Sequence, residues 1–195
     1  MHIEEKQFED LNKLLRFVYR IHLGDGLCHK NSSGVSAFGE EYNQLAETTI
    51  IVERDGGTII GTHSHTLDGP GGLPTDADFP LETQAIRDEC NNAGKLLAVA
   101  WRLVVDPAAN HSRAMLRLVR RTERHLREKG VGVLLTVVHP DHERFYARLF
   151  GCVKVAGPRA CGTVCGRPGV LLRADDKPSE EAAVREEIDR KKLQE

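Results

Sequence analysis

One arginine sits in a segment that is otherwise apolar. In Leu96–Val105, Leu-Leu-Ala-Val-Ala-Trp-Arg-Leu-Val-Val, only Arg102 is polar. Such a run is a buried strand, and a guanidinium inside it must find a partner, because an isolated buried charge is expensive. Two partners suit its planar fork: the carboxylate of a bound substrate, or an internal Asp or Glu in a structural ion pair. Trp101, the single tryptophan, should point to the opposite face of the strand by two-residue alternation. There it packs the core or walls an apolar tunnel. The second chemical candidate is His139. It follows the apolar run Val133–Val138 and precedes Pro140, so it lies at the carboxyl end of a strand, where sites of α/β folds collect. An imidazole there can take a proton from an amine; it can equally be a helix cap. Phe145, Tyr146, Leu149 and Phe150, in the helix that follows, read first as core.

A third feature is a basic stripe. Arg113, Arg117, Arg120, Arg124 and Arg127 recur at spacings of four, three, four and three, with Glu123 and Glu128 the interruptions. This is one face of a helix. A solvated face usually mixes signs, so a one-sided face suggests an anionic partner. The acidic recognition helix of acyl carrier protein would suit it. RNA would too, although no aromatic platform accompanies the stripe. Two other patterns are weak. His63-Ser64-His65 puts two imidazoles on one strand face, and Cys161-Gly-Thr-Val-Cys165 lacks the spacing of zinc ribbons. Neither is expected to hold a metal.

The elements that must position these residues follow from periodicity. Glu4–Leu23 carries Phe8, Leu11, Leu14, Leu15, Val18 and Ile21 at helical spacing, and Gly24-Asp25-Gly26 ends it. Leu27–Leu45 has no clear period and reads as a long loop or broken helix, the form a lid takes. Thr48–Glu53 and Thr58–Leu67 make a hairpin around Arg54-Asp55-Gly56-Gly57. Leu81–Ala93 is a short helix, Leu96–Val105 a strand, and Ser112–Lys129 a strong helix with a core stripe of Met115, Val119, Thr122 and Leu126. Val131–Val138 is a strand and Asp141–Phe150 a helix. Short strands at Val153–Val155 and Val170–Leu172 flank a Gly- and Cys-containing connection. Ser179–Leu193 is charged and reads as a solvated helix or tail. The central strand–helix–strand crossover requires parallel pairing there, with antiparallel strands outside.

The chain has 195 residues and a net charge of −2, with 40% hydrophobic and 29% charged residues. That fits one globular domain over residues 1–176 plus a charged tail over 177–195. It gives no global pull toward nucleic acid or a membrane surface. No apolar run is long enough to span a bilayer, and the polar, acidic start of the chain is not a signal peptide. Five scattered cysteines argue against a disulfide framework and point to a cytoplasmic setting.

The segment His139-Pro140-Asp141-His142-Glu143-Arg144-Phe145-Tyr146-Ala147-Arg148-Leu149-Phe150-Gly151, after a buried strand, resembles the acyl-binding half of a GNAT-type acyltransferase. The likeness implies an α/β, GNAT-like fold: a mixed central sheet with splayed parallel strands, flanked by helices. It also implies that a pantetheine thioester enters the splay. Backbone N–H groups of Leu96–Val105 would polarise its carbonyl, and Tyr146 would protonate the leaving thiolate. Acetyl-CoA-using relatives usually carry a glycine-rich pyrophosphate loop before the long helix. The loop here, Asp106 to Ala114, has no glycine, which favours a carrier-protein donor with its single phosphate.

More closely, the chain resembles the N-acyl amino acid synthases (FeeM-type), relatives of the acyl-homoserine lactone synthases. The likeness rests on three segments: Gly61-Thr62 through Gly72-Leu73-Pro74-Thr75-Asp76, Trp101-Arg102-Leu103-Val104-Val105-Asp106-Pro107, and the His139 to Gly151 segment. It implies transfer of a long-chain acyl group from acyl carrier protein to the amino group of an amino acid, with tyrosine a plausible acceptor. No bound cofactor is implied beyond the acyl-phosphopantetheine of the donor. Arg102 matches the arginine of the lactone synthases' Glu-x-x-Arg pattern and would bind substrate, with Trp101, Leu103 and Val104 around it. The glutamate's place is Val99, so Glu82, His139 or water must supply the base. Arg16-Phe17 loosely matches an N-terminal arginine of those enzymes and would reach substrate beneath the lid. Arg113, Arg117, Arg120 and Arg124 would dock the carrier protein. The rival readings are an acetyl-CoA-dependent N-acetyltransferase for small amines, or a non-catalytic binder of an acyl ligand or nucleic acid.

Overall fold

The computed structural model describes residues 8–109 and 111–175; of residues 8–10, 111, 112 and 149 it describes the backbone alone. The side-chain expectations for Phe8 and Leu149, and the segment Ser179–Leu193, lie outside the described residues. The helices are α1 (Phe8–Gly24), α2 (Pro80–Asn92), α3 (His111–Glu128) and α4 (Glu143–Phe150). The strands are β1 (Thr48–Asp55), β2 (Thr58–Leu67), β3 (Leu96–Val105), β4 (Val131–Val138), β5 (Val153–Cys161) and β6 (Arg167–Asp175). They form one six-stranded sheet in the order β1-β2-β3-β4-β6-β5. Only β3 and β4 pair in parallel, as the crossover through α3 demands; the other neighbours are antiparallel.

Each helix lies where its apolar stripe can be buried. Leu14, Phe17, Val18 and Ile21 of α1 pack on Ile50, Ile59 and Val104. Ile86 and Cys90 of α2 pack with Leu97, Val99 and Leu135 on the same side of the sheet. On the other side, Ala114 and Leu118 of α3 meet Ile51 and Val105, and Leu126 meets Ala98 and Val131. Fully buried side chains such as Val18 and Leu118 each contribute about 1.5–3 kcal/mol. Pro80 sits at the first turn of α2, where its missing N–H costs nothing. Gly151 ends α4 with φ 65°, a conformation open to glycine.

β5 and β6 run well beyond the expected Val153–Val155 and Val170–Leu172. β5 is the sheet edge and mostly exposed. Its sequence shows no apolar alternation, and it carries Pro158, which an edge strand tolerates.

Two irregularities interrupt the sheet around Arg102. Parallel pairing of β3 with β4 ends at Ala100↔Thr136, whereas β3 stays on β2 to Val105↔Gly61 and β4 stays on β6 to Val138↔Val170. The central strands therefore part toward their carboxyl ends. Within β3, Ser64 pairs with Trp101 and Thr62 with Val104, so Arg102 and Leu103 together oppose His63. This is a β-bulge, and Arg102 occupies it in the left-handed region at φ 53°.

Candidate functional site

The gap between the parted strands opens into a cavity of about 630 Å³. Leu103, Val104 and Val105 line it from β3, and Val137, Val138 and His139 from β4; α1, the Leu27–Leu45 segment and α4 close it. Beyond Ala100, β3 has no strand on its β4 side among the described residues, so peptide groups there are open to a ligand.

Arg102 faces this cavity and is 5% exposed. Its Nε and Nη2 donate to Ser64 Oγ at 3.1 and 2.9 Å, and its Nη1 donates to Asn43 Oδ1 at 2.7 Å. The guanidinium lies 4.5 Å over the Trp101 ring. These acceptors are neutral, so the internal Asp or Glu partner is not found among the described residues. Burial pulls the guanidinium down to about 9, still charged at neutral pH.

The expectation that Trp101 and Arg102 point to opposite faces is overturned. The bulge inserts one residue and breaks the alternation, so Trp101, Arg102 and Val104 all serve the α1 side. Trp101 Nε1 donates to Thr66 Oγ1 at 3.0 Å. The ring packs in the core with Leu97 and Val99 and also lines the cavity.

The Leu27–Leu45 segment lies over this pair. Gly39 has φ 67°, and a Cβ on it would stand 2.2 Å from Trp101 Cζ3; only glycine allows this approach. Phe38 and Tyr42 meet Trp101 edge-on with ring centroids at 5.8 and 6.0 Å. Tyr42 Oη donates to Leu73 O, and the backbone N–H of Asn31 donates to Tyr19 Oη. The segment is thus folded down by specific bonds, with Asn43 reaching Arg102 directly.

His139 lines the cavity. Its side chain is 38% exposed, and its Nδ1 accepts from the Asp141 N–H at 3.4 Å, the capping arrangement. Tyr146 lines this cavity and also a smaller hollow of about 170 Å³ between α3 and α4. Burial, and then Cys152, push its phenol up to about 12, so it holds its proton.

Other candidates stand elsewhere. Glu82 is not at the cavity: it pairs with Arg159 of β5. Its own backbone N–H, and then Arg159, hold its carboxyl below the usual range, the wrong direction for a base. Arg16 lines a separate surface hollow and donates to Ser33 O at 3.3 Å; it braces the lid from outside. Arg117 is engaged with Glu53, which Arg121 also holds, at 2.7 and 2.9 Å. Glu53 is 6% exposed, so Arg117 serves the fold. Arg113, Arg120 and Arg124 are exposed along α3. His63 and His65 face α3, where His63 Nδ1 meets Thr122 Oγ1 at 2.9 Å and His65 stacks near His125. Among the described residues no group of three or more His, Cys, Asp or Glu could hold a metal, and no helix is long and apolar enough to cross a membrane.

Sequence reasoning missed His22, Asn43 and Ser64. His22 had a signal: it continues the buried stripe of α1 one turn beyond Val18, a polar residue at a core position. Asn43 and Ser64 had none, because only the lid and the bulge bring them to Arg102.

The family model described as N-acyl amino acid synthase FeeM matches residues 13–175. No curated protein sequence gives a significant match. Among solved structures, FeeM, an N-acyl amino acid synthase from uncultured soil microbes, superposes with TM-score 0.71 and 24% identity, over 89% of this chain and 88% of that one. The acyl-homoserine lactone synthase LasI gives TM-score 0.64 and 16% identity over 88% and 85%. Aminoglycoside 6'-acetyltransferase type Ii gives 0.56 and 17% over 91% and 99%. The fold is that of the GNAT acyltransferases.

Proposed function

The chain belongs to the FeeM family of N-acyl amino acid synthases, and from that premise we propose that it moves a long-chain acyl group from acyl carrier protein to the α-amino group of an amino acid, tyrosine being a candidate acceptor. One observation carries the choice of acceptor: a buried, charged guanidinium at the parted strands whose described partners are all neutral. A substrate carboxylate is the counter-ion it lacks.

The amino acid lies with its carboxylate toward Arg102, under Phe38 and Tyr42 and against Trp101. The thioester enters between β3 and β4. The amine attacks its carbonyl carbon, and peptide N–H groups of β3 beyond Ala100 stabilise the oxyanion that develops. The N–C bond forms, the C–S bond breaks, and the departing thiolate takes a proton from the phenol of Tyr146. Its place on the cavity wall supports this role, and the phenol carries its proton before the step. His139 stands at the mouth as a wall and cap of the cleft.

The glycine-free Asp106 loop supports a carrier-protein donor. Asp106 accepts from Arg20 and from the Ala108 N–H, so the loop leading to α3 carries a carboxylate, where a CoA pyrophosphate would seek positive charge. The exposed Arg113, Arg120 and Arg124 suit an acidic carrier surface. Five free cysteines support a reducing, cytoplasmic setting. The test is to supply long-chain acyl carrier protein, or in a second arm acyl-CoA, with each common amino acid and to look for N-acyl products by mass spectrometry. Products from the carrier arm are expected; folded protein giving none in either arm would end the reading, and products from acyl-CoA alone would end the carrier assignment.

A further inference from the structure

The acceptor pocket contains a buried imidazole to which nothing above gives a task. We propose that His22 is the base that takes the proton of the attacking amine. The inference rests on the amino acid acyltransferase reading and deepens it.

The geometry carries it. His22 is 5% exposed yet lines the cavity. Its Nδ1 is buried with no hydrogen-bond partner among the described residues. Its ring meets Phe38 edge-on at 5.6 Å, Phe38 meets Trp101 at 5.8 Å, and Trp101 lies beneath Arg102 at 4.5 Å. His22 and Arg102 therefore belong to one continuous pocket wall. An amino acid anchored by its carboxylate at Arg102 carries its amine one carbon away, within that wall. The competing carboxylates are poorly suited. Val99 replaces an acid on β3, Glu82 is outside, and Asp78 is occupied by Gly162 N and Thr163 Oγ1. Asp25 and Glu41 reach the cavity only from exposed positions.

Electrostatics adds a coupling. The charged groups acting on His22 are Arg102 of β3 and Asp25 of the loop after α1. Burial first, and then Arg102, lower the imidazole to about 4, opposed by Asp25. It is thus neutral and able to accept a proton across the physiological range. When a substrate carboxylate neutralises Arg102, the repulsion lowering His22 is cancelled and its basicity rises. Binding the correct acceptor, one with both carboxylate and amine, thereby strengthens the base. The acceptor's ammonium first gives one proton to solvent; the free amine then forms the N–C bond and sheds a second proton to His22 as the C–S bond breaks, and Tyr146 protonates the thiolate. Proton return from His22 to the Tyr146 phenolate through solvent resets the site, with no net proton gained or lost by the enzyme.

The experiment uses the full chain, acyl carrier protein donor, and the amino acid that wild type acylates fastest. His22→Gln and His22→Phe, the latter keeping the contact with Phe38, are expected to lower kcat about 100- to 1000-fold with little change in KM for the amino acid. With the matching α-aminooxy acid, whose nitrogen is unprotonated at neutral pH, the loss should shrink to about tenfold or less. Either variant retaining kcat within about threefold, or equal losses with both acceptors, would overturn the role of His22. Wild type that acylates no amino acid would instead overturn the function on which it rests.

Discussion

Replacing Arg102 by Met separates a functional cation from a structural one. Burial moves the guanidinium from 12.5 to about 9, and at about 1.4 kcal/mol per pH unit this is about 5 kcal/mol against the charged side chain. Because the value falls on folding, the penalty is complete below pH 9 and is relieved as pH rises above it. Opposing it are three hydrogen bonds to Ser64 and Asn43, each worth about 1.5 kcal/mol, and about 1 kcal/mol from the Trp101 face. The two sides nearly cancel, so Arg102→Met should melt within about 4 °C of wild type, given about 2–4 °C per kcal/mol at this chain length. Loss of one partner of a buried ion pair would instead cost about 3–5 kcal/mol and lower Tm by roughly 6–20 °C. The amino acid, however, loses its anchor, and at about 2–5 kcal/mol for a buried charged partner its KM should rise about 30-fold or more. Calorimetry and steady-state kinetics on the same preparation read both. A steep fall in Tm with unchanged KM would refute the reasoning and make Arg102 a structural cation.

Tyr146→Phe removes the acid for the thiolate and should lower kcat about 100-fold with KM unchanged; a thiophenol ester donor, whose thiolate leaves unaided, should restore most of the rate. Charge reversal of Arg113, Arg120 and Arg124 to Glu should raise KM for acyl carrier protein but not for the amino acid, with the difference fading at high salt; an unchanged carrier KM rejects docking on α3. Arg117→Ala, by contrast, strips a partner from buried Glu53, and its effect should appear in Tm, smaller than full loss because Arg121 remains. Gly39→Ala drives a methyl into Trp101 and forces φ 67° on alanine. The lid should lift, seen as faster proteolysis between Leu27 and Leu45 and a higher KM for the amino acid.

The fold was legible wherever burial imposed a period. The stripe of α1 placed its carboxyl end to within a residue, while Glu4–Gln7 of the expected helix lie outside the described residues; the arginine and core stripes of α3, the run of β3 and the glycine after Phe150 each gave an element within a residue or two of its ends. β5 was underestimated because an edge strand buries too little to leave a pattern. At the site, Arg102 could be singled out because a lone charge in an apolar strand has few explanations. Its partners could not. Ser64 and Asn43 are ordinary polar residues until a bulge and a lid carry them to the same place. Glu82 and Arg16 illustrate the reverse error: their residue types suited the chemistry, but α2 and the outer face of α1 hold them away from the cavity.

The bulge at Arg102 and Leu103 links these observations. Without the inserted residue, alternation would send Arg102 toward α3, away from Asn43 and the lid. With it, Trp101 and Arg102 share one face, while Leu103 and Val105 return to the α3 side. The same insertion falls two residues beyond the last β3–β4 pair, so the strand turns Arg102 toward the cavity where it parts from its neighbour. Arginine in the left-handed region costs on the order of 1–3 kcal/mol, and glycine would remove that cost. That an arginine with a strained backbone, a buried charge and only neutral described partners occupies the position is what a binding site for an anionic acceptor requires, and what a core built for stability alone would avoid.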